Sequence, residues 1–308
     1  MGAVLPINRV APLQPQPGPS PAENTRGLIY MALAVFIFSA VDTQAKFLGE
    51  TLHPIQIVWT RQSGLLIGVL VLLVMRGPGF LKTPNPVLQI SRGVLAMSSA
   101  TLFIVGIHYV PLADAVAVTF VAPFVVTILG ALVLREPVGI RRWSAVAVGF
   151  VGTLIVIRPG TGVMHPAVFL ILTAATAFAL RQILSRILSG ADGTLTTVAY
   201  TSLTASLLLT IPLPFVWQWP QSSLEIVLMV SIAIMAAFGE ILVIRALEMA
   251  QAVVVAPVQY TQIIWGTVYG YLVFGNFPDR WTWVGAAIIV ATGLYIFHRE
   301  QRVGRRSR

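Results

Sequence analysis

The sequence predicts an all-α integral membrane protein in which ten transmembrane helices form two inverted repeats of five. Three observations support this fold class. Of the 308 residues, 56% are hydrophobic and only 10% are charged, whereas roughly a quarter of a soluble domain is charged. Ten apolar segments follow one another along the chain, and the last five match the first five in their order and in parts of their loops.

The apolar segments are bounded by proline, glycine or charged residues. Most contain about 20 residues, which a helix needs to cross roughly 30 Å of hydrocarbon. None shows the period-two alternation that transmembrane strands require. The ten segments are 27–47, 54–75, 89–110, 112–134, 143–157, 166–188, 195–217, 224–246, 250–274 and 281–297.

The domain organisation follows from these segments. The proline-rich N-terminal stretch has no continuous apolar core, so it is interpreted as a disordered tail and not as a signal peptide. The predicted units are a disordered cytoplasmic tail (1–26), a first repeat of five spans (27–158), a second repeat of five spans (166–298) and a basic cytoplasmic tail (299–308).

The basic residues predict the orientation of the chain. With the N-terminus in the cytoplasm, 15 of the 20 lysines and arginines lie at or near the inner face, and only Arg158 and Arg280 lie outside. This distribution follows the positive-inside rule. We therefore expect a multi-pass protein of the cell inner (plasma) membrane with both termini in the cytoplasm.

Several kinds of chemistry are excluded by composition. The chain has no cysteine, so disulfides, thiolate metal sites and cysteine nucleophiles are impossible. Its four histidines are scattered and none is paired at ligand spacing, so no metal site and no cofactor are predicted. A GxxxxGK[ST] phosphate loop is missing from the sequence, which argues against ATP as the energy source. The net charge of +9 comes from short loops and a tail, which fits membrane orientation better than nucleic-acid binding.

The internal repeat appears when the chain is shifted by about 140 residues. Since each half has five spans, an odd number, the second half must enter the membrane with the opposite polarity. Inverted repeats of this kind are typical of secondary transporters, although hydrophobic helices can also resemble each other by chance. The shift aligns Phe38, Asp42, Lys46 and Leu48 with Phe178, Gln182, Arg186 and Leu188.

Two stretches resemble a known family. VPLADAVAVTFVAPFVVTILGALVLREPVGIRRWSAVAVGFVGTLIVIRPG (110–160) is similar to the end of the first EamA-type repeat of the drug/metabolite transporter superfamily. QYTQIIWGTVYGYLVFGNFPDRWTWVGAAIIVATGLYIFHRE (259–300) is similar to the end of the second. The resemblance covers about residues 27–299. One departure is Asn276, which stands where the first repeat has Glu136 and where the family usually keeps a glutamate.

The resemblance implies a central cavity between the repeats and movement of small organic metabolites by alternating access. Similar members import riboflavin or S-adenosylmethionine, and others export amino acids. In that superfamily the terminal helices often form a homodimer, and Gly149, Gly152, Gly285 and Gly293 would allow close packing there. The sequence leaves the oligomeric state open.

Charged residues occur inside the first two spans. Asp42 lies 15 residues from the inner start of its span, and Arg61 lies seven residues from the outer start of the next. The two side chains are thus at similar depth, and an unpaired charge near the bilayer centre costs on the order of 3 kcal/mol. We therefore predict an Asp42–Arg61 ion pair. Lys46, one turn beyond Asp42, either shares the carboxylate or extends outward.

The second repeat also has charged residues inside two of its spans. Arg181 lies 15 residues into the sixth span and Glu240 lies 16 residues into the eighth, and both spans run from outside to inside. Two interpretations stay open for both pairs. Either they lock helices together, or their carboxylates bind and release a proton while the cavity changes sides.

Two prolines at corresponding positions predict broken helices. Pro123 lies in the middle of the fourth span and Pro257 a third of the way into the ninth. Each removes a backbone donor, and the freed carbonyl needs another partner in lipid. The breaks either bend the helices around a binding site or serve packing alone.

Polar and aromatic residues cluster around the prolines in the sequence. Amides that fix orientation and aromatic faces that stack would suit a flat, hydrogen-bonding ligand. Each aromatic ring has the alternative of facing lipid or the interface. The candidates are Tyr109, Phe120, Phe124, Gln259, Tyr260, Gln262, Trp265 and Tyr269.

The sequence as a whole predicts a secondary active transporter of a small organic metabolite, with the bilayer and the substrate as its partners. Uptake of riboflavin or a similar aromatic vitamin is the preferred interpretation. Export of amino acids or drugs and import of S-adenosylmethionine are alternatives. A membrane-embedded enzyme would need acids or histidines clustered at the interface, and the loops offer only Glu136 and Asp279.

Overall fold

The computed structural model describes residues 21–133, 139–158, 165–188, 192–250 and 255–306, and within these ranges the regular secondary structure is entirely helical. Glu136 and the first 20 residues lie outside these ranges. The helices are α1 (Pro21–Leu48), α2 (Pro54–Arg76), α3 (Pro86–Tyr109), α4 (Leu112–Thr119), α5 (Ala122–Val133), α6 (Ile140–Ile157), α7 (Val168–Leu188), α8 (Thr194–Thr210), α9 (Leu213–Val216), α10 (Ser223–Met249), α11 (Gln262–Phe274) and α12 (Arg280–Arg306). Short 3₁₀ helices cover Pro78–Leu81 and Ala256–Thr261.

The helices correspond to the ten predicted spans, but the first and last are longer than predicted. Helix α1 begins at Pro21 with Glu23 in its first turn, so residues 21–26 are helical and were wrongly assigned to the disordered tail. A proline tolerates the first turn of a helix, and an acidic side chain there favours the helix dipole. Helix α12 likewise continues to Arg306, through most of the predicted basic tail.

The fourth and ninth spans are interrupted near the two prolines, as predicted. Helix α4 ends at Thr119 and α5 begins at Ala122. Between them the hydrogen bonds shorten to the i to i−3 pattern, with Phe120 N donating to Ala117 O at 3.3 Å. In the ninth span a 3₁₀ helix containing Pro257 precedes α11. Both interruptions follow from the donor that proline lacks.

The helices pack with two-fold pseudosymmetry, which reflects the inverted repeat. Exchange of the two repeats maps the most extensive contacts between elements onto one another or onto themselves. The contacts α1–α10, α2–α10 and α1–α11 have the mates α3–α7, α3–α8 and α5–α7, and the contacts α6–α12 and α2–α8 are self-related.

Two close helix crossings confirm the shift of 140 residues. Gly64 on α2 lies against the backbone of Ala233 on α10, where an added Cβ would meet the carbonyl carbon at 2.7 Å. Gly93 on α3 lies against Thr204 on α8 in the same manner. Gly64 and Thr204 differ by 140 positions, and so do Gly93 and Ala233. The α2–α10 and α3–α8 crossings are therefore equivalent. The glycine lies on α2 in the first crossing and on α3, the counterpart of α10, in the second.

The outer surface of the bundle is apolar. Side chains such as Val74 and Phe215 are 87% and 88% exposed, which a water-soluble protein would avoid over large patches. Six of the described helical segments are long and apolar enough to cross a membrane on their own. The apolar perimeter is therefore the surface that contacts lipid.

Candidate functional site

A buried carboxylate connects three helices at the centre of the bundle. Asp42 on α1 is only 4% exposed. Its Oδ1 lies 3.7 Å from the Arg61 guanidinium on α2, which confirms the predicted ion pair. The amide of Gln262, at the start of α11, donates to Asp42 Oδ2 at 3.3 Å. Residues of both repeats thus bind the same carboxylate.

Among the described residues Lys46 does not share the Asp42 carboxylate, the first of its two sequence alternatives, but reaches toward the end of the bundle remote from both termini. Its ammonium donates to the carbonyl of Val110 at 2.7 Å and to the carbonyl of Ile107. These carbonyls belong to the C-terminal end of α3, which has no further helical turn to bind them. Lys46 is therefore a cap for α3, placed at the negative end of its dipole. The ring of Phe274 lies 5.5 Å from the same ammonium.

A second group of charges lies in the half of the bundle nearer both termini. Arg181 on α7 and Glu240 on α10 are close enough for their charges to interact, and Arg61 also interacts with Arg181. Among the described residues, however, no ion pair within 4.0 Å joins Arg181 to Glu240. The two side chains lie at similar depth in their spans, as expected, but they do not form a direct ion pair. Helices α7 and α10 belong to the same repeat without packing extensively on each other, which leaves the two groups apart.

Arg92 is a third member of this group, and the sequence interpretation missed it. Its Nε donates to Ser185 Oγ at 2.7 Å, and it also donates to the hydroxyl of Thr201. The guanidinium interacts electrostatically with Arg181 and Glu240. Arg92 was counted with the basic residues of the inner face. Its place seven residues into α3, inside an apolar segment, was the signal of burial.

The aromatic candidates separate into two groups around the broken helices. Phe36 on α1 contacts both Trp265 and Tyr269 of α11, with ring centroids 4.9 and 5.8 Å apart. These rings share α1 and α11 with Asp42 and Gln262. The structure thus brings Gln262, Trp265 and Tyr269 to one interface, whereas the side chain of Gln259 is exposed.

Tyr260 and Phe120 form the other group. Their ring centroids are 5.2 Å apart, and Phe120 is 7% exposed. The phenol of Tyr260 occupies the space left by Gly293 on α12. Phe124 occupies the space left by Gly149 on α6 in a similar way. Tyr260 and Phe124 therefore pack the last helix of each repeat onto the rest of the bundle.

The close approach of α6 and α12 confirms the prediction made from their glycines. A Cβ on Gly285 would lie 2.6 Å from the carbonyl oxygen of Gly152, and one on Gly152 would lie 3.1 Å from that of Gly285. Only glycine at both positions lets the two backbones approach this closely. This contact lies within the chain, so the homodimer stays a prediction.

Tyr109 was expected near the prolines, but it lies at the end of the bundle remote from both termini. It stacks on His165 with centroids 4.8 Å apart, because α3 ends at Tyr109 and α7 begins three residues after His165. The two rings line a cavity of about 260 Å³ together with Asp114, Arg158, Phe277 and Asp279.

An ion pair between the repeats borders this cavity. Arg158, after the end of α6, lies 2.6 Å from Asp279, which precedes α12. Burial raises the pKa of the Asp279 carboxyl, but the hydrogen bonds with Thr282 and with the Arg158 guanidinium outweigh it and hold the pKa below its usual range. The bridge therefore stays ionised at any physiological pH. Within the described part of the chain, no group of three or more potential ligands could hold a metal ion.

Comparison with known proteins agrees with this architecture. The sequence profile of the EamA-like transporter family matches residues 25–158 and 165–297. The chain is 26% identical to the S-adenosylmethionine uptake transporter of Rickettsia prowazekii (strain Madrid E), over 90% of this chain and 94% of that protein. It is 29% identical to the riboflavin transporter of Vibrio cholerae serotype O1, over 92% and 96%. It is 27% identical to a pseudopaline exporter of Pseudomonas aeruginosa, over 86% and 93%.

A solved crystal structure shares the fold. It superposes with a TM-score of 0.62 at 16% sequence identity and covers 92% of this chain and 98% of its own. The family profile spans both halves, and the relatives are transporters of small molecules and not enzymes. With its spans arranged in two inverted repeats of five, the chain belongs to the EamA-like transporter family of multi-pass membrane proteins.

Proposed function

We propose that this chain is a secondary active transporter that moves a small organic metabolite across the inner membrane by alternating access. The observation that carries the proposal is the buried contact of Asp42 with Arg61 and Gln262. It brings side chains of both repeats onto one carboxylate in the apolar interior, where charges are expensive and usually serve transport. A change in the relative position of the repeats would alter these contacts.

The substrate that we propose combines a flat ring with a charged group. Phe36, Trp265 and Tyr269 form an aromatic wall beside Gln262, which suits a planar, hydrogen-bonding ring. The charges of Asp42 and Arg61 next to that wall favour a charged metabolite over a neutral one. S-adenosylmethionine, which carries an adenine ring and several charges, is therefore the first candidate.

Riboflavin, the substrate preferred from the sequence alone, is the second candidate. The same aromatic wall and the Gln262 amide would suit its ring system, but it offers no charge to the buried ionic groups. A relative named as a riboflavin transporter supports this candidate as well. The relative named as an exporter leaves the direction of transport to experiment.

The proposal is tested with purified protein in liposomes. Radiolabelled S-adenosylmethionine and riboflavin are offered outside, and efflux is followed from liposomes loaded with each compound. We expect protein-dependent flux of S-adenosylmethionine that excess unlabelled compound suppresses. Arg245→Gln serves as a matched control, because Arg245 is exposed and its partner Glu248 is exposed too. Flux of neither compound in either direction, from protein that is folded, would contradict the proposal.

A further inference from the structure

The charges that lie within the membrane-spanning helices form a cluster in which the two signs do not balance. Three guanidinium groups, those of Arg61, Arg92 and Arg181, interact with only two carboxylates, those of Asp42 and Glu240. The five groups come from α1, α2, α3, α7 and α10 and thus from both repeats. In the described part of the chain the cluster therefore carries one surplus positive charge.

The surplus positive charge is assigned to Arg181. Arg61 is paired with Asp42, and Arg92 donates to two hydroxyl groups. The Nε of Arg181 is buried, and among the described residues it donates no hydrogen bond. The face of the Phe178 ring lies beside the guanidinium, with its centroid 4.7 Å from the guanidinium carbon.

A purely architectural role does not explain this arrangement. A guanidinium that locks helices together would donate to a carboxylate or to carbonyls of the neighbouring helix, as Lys46 does for α3. Arg181 has its carboxylate, Glu240, within electrostatic range but not in contact. Helices α7 and α10 do not pack extensively on each other, so these two groups are not joined across a direct helix–helix contact. A buried guanidinium nitrogen that donates no hydrogen bond, such as the Nε of Arg181, is costly.

We propose that Arg181 binds the carboxylate of the transported metabolite. This inference rests on the proposed transport function and specifies the chemical class of its substrate. The guanidinium fork matches a carboxylate with two parallel hydrogen bonds, and the ring of Phe178 holds the guanidinium plane from one side. One carboxylate cancels the surplus charge of the cluster. Amino acids and their derivatives carry this group, whereas riboflavin does not.

The experiment uses two ligands that differ only in the carboxylate. S-adenosylmethionine and decarboxylated S-adenosylmethionine share the ring, the sulfonium and the ammonium. Their affinities are measured on the full chain in lipid nanodiscs, for wild type, Arg181→Met and the exposed control Arg245→Met. We expect wild type and Arg245→Met to bind S-adenosylmethionine at least about tenfold more tightly, as for other charge-assisted pairs. Arg181→Met should bind both ligands alike and bind the decarboxylated one no more weakly than wild type does, because the lost guanidinium only repelled that cation.

A measurement without ligand separates binding from architecture. Removing a guanidinium whose buried Nε donates no hydrogen bond should leave the Tm of the empty protein unchanged or raise it, because a functional site is often held at the expense of stability. A lower Tm of Arg181→Met together with unchanged discrimination between the two ligands would show a structural lock and overturn the inference. Equal affinity of the wild type for the two ligands would also overturn it.

Failure of this inference is distinguishable from failure of the transport function. If riboflavin binds and crosses the membrane, and Arg181→Met affects neither step, the carboxylate assignment is wrong and the transporter stands. If none of the three compounds binds or crosses, both proposals are overturned. If only S-adenosylmethionine crosses and Arg181→Met stops it, both are supported.

Discussion

Asp42 and Arg61 illustrate how far single residues can be interpreted from sequence. Counting residues from the ends of two consecutive spans was enough to predict their ion pair, since both positions follow from the fixed rise of a helix. The same count did not predict the amide of Gln262 on Asp42. That contact depends on how the second repeat packs on the first, which no distance along the chain encodes.

The Asp42–Arg61 pair yields a prediction that separates its two interpretations. Asp42→Asn should stop transport and destabilise the protein, because it leaves the Arg61 guanidinium inside the bundle without its partner. Combining Asp42→Asn with Arg61→Gln should recover most of the lost stability, since neither residue is then charged, but should not recover transport. Thermal unfolding and liposome flux of the single and double variants form a double-mutant cycle. Full transport by the double variant would assign the pair to architecture alone.

Lys46 yields a second prediction at this scale. Lys46→Met keeps the length of the side chain but removes the donor to the carbonyls of Ile107 and Val110. We expect a loss of about 1–3 kcal/mol of stability, the usual cost of leaving a buried acceptor without its partner. Lys46→Arg, which retains a donor and the charge, is the matched control and should lose less. A Lys46→Met protein as stable as wild type in detergent would refute the capping role.

The helices were largely predictable, because each is defined by the length of an apolar segment and by the charged residues that bound it. The ten spans follow from composition, and the breaks in the fourth and ninth follow from Pro123 and Pro257. The error at the start of α1 has a plain cause. Four of the six residues at 21–26 are polar, and polar residues are as compatible with a helix that extends beyond the membrane as with a disordered tail.

The crossing of α2 and α10 supports a prediction at the scale of elements. Gly64→Ala places a methyl group against the backbone of Ala233, which cannot move without separating the helices. We expect destabilisation of about 1–3 kcal/mol, as for other overpacked contacts. The control is Gly68→Ala on the same helix, where an added Cβ meets nothing within 4 Å. That change should stabilise slightly, because alanine restricts the unfolded chain more than glycine does.

The unfolding midpoints of both glycine variants, measured in the same detergent, test this difference in stability. A Gly64→Ala protein that is no less stable than Gly68→Ala would contradict the close backbone contact at this crossing. A corresponding effect is expected on α3, where Gly93 faces Thr204, but it should be smaller because a side chain can move more easily than a backbone.

At the scale of the whole molecule, the inverted repeat was visible in the sequence, and packing shows the same shift of 140 residues. Gln56 and Thr196 are another pair at this spacing, and each bonds a backbone carbonyl of a connection in the opposite repeat, Gln218 and Phe80. The charges could not be predicted in this way. Asp42 and Arg181 have no charged counterpart at the related positions, so their arrangement obeys no repeat.

The orientation of the whole chain in the membrane is a further prediction. Because the sequence contains no cysteine, a single introduced cysteine is a unique label. Thr51→Cys, between α1 and α2, should react with a membrane-impermeant maleimide on intact cells. Lys82→Cys, between α2 and α3, should react only after the cells are permeabilised. The reverse pattern would place both termini outside and invalidate the use of the positive-inside rule for this chain.

The duplicated packing has a thermodynamic consequence. If the two halves were identical, exchanging their conformations would convert the form open to one side into the form open to the other at no cost in free energy. The buried ionic groups lack this symmetry, so the two forms have unequal energies even when no solute gradient exists. The empty carrier should therefore rest on one preferred side, and its cycle should run at different speeds in the two directions.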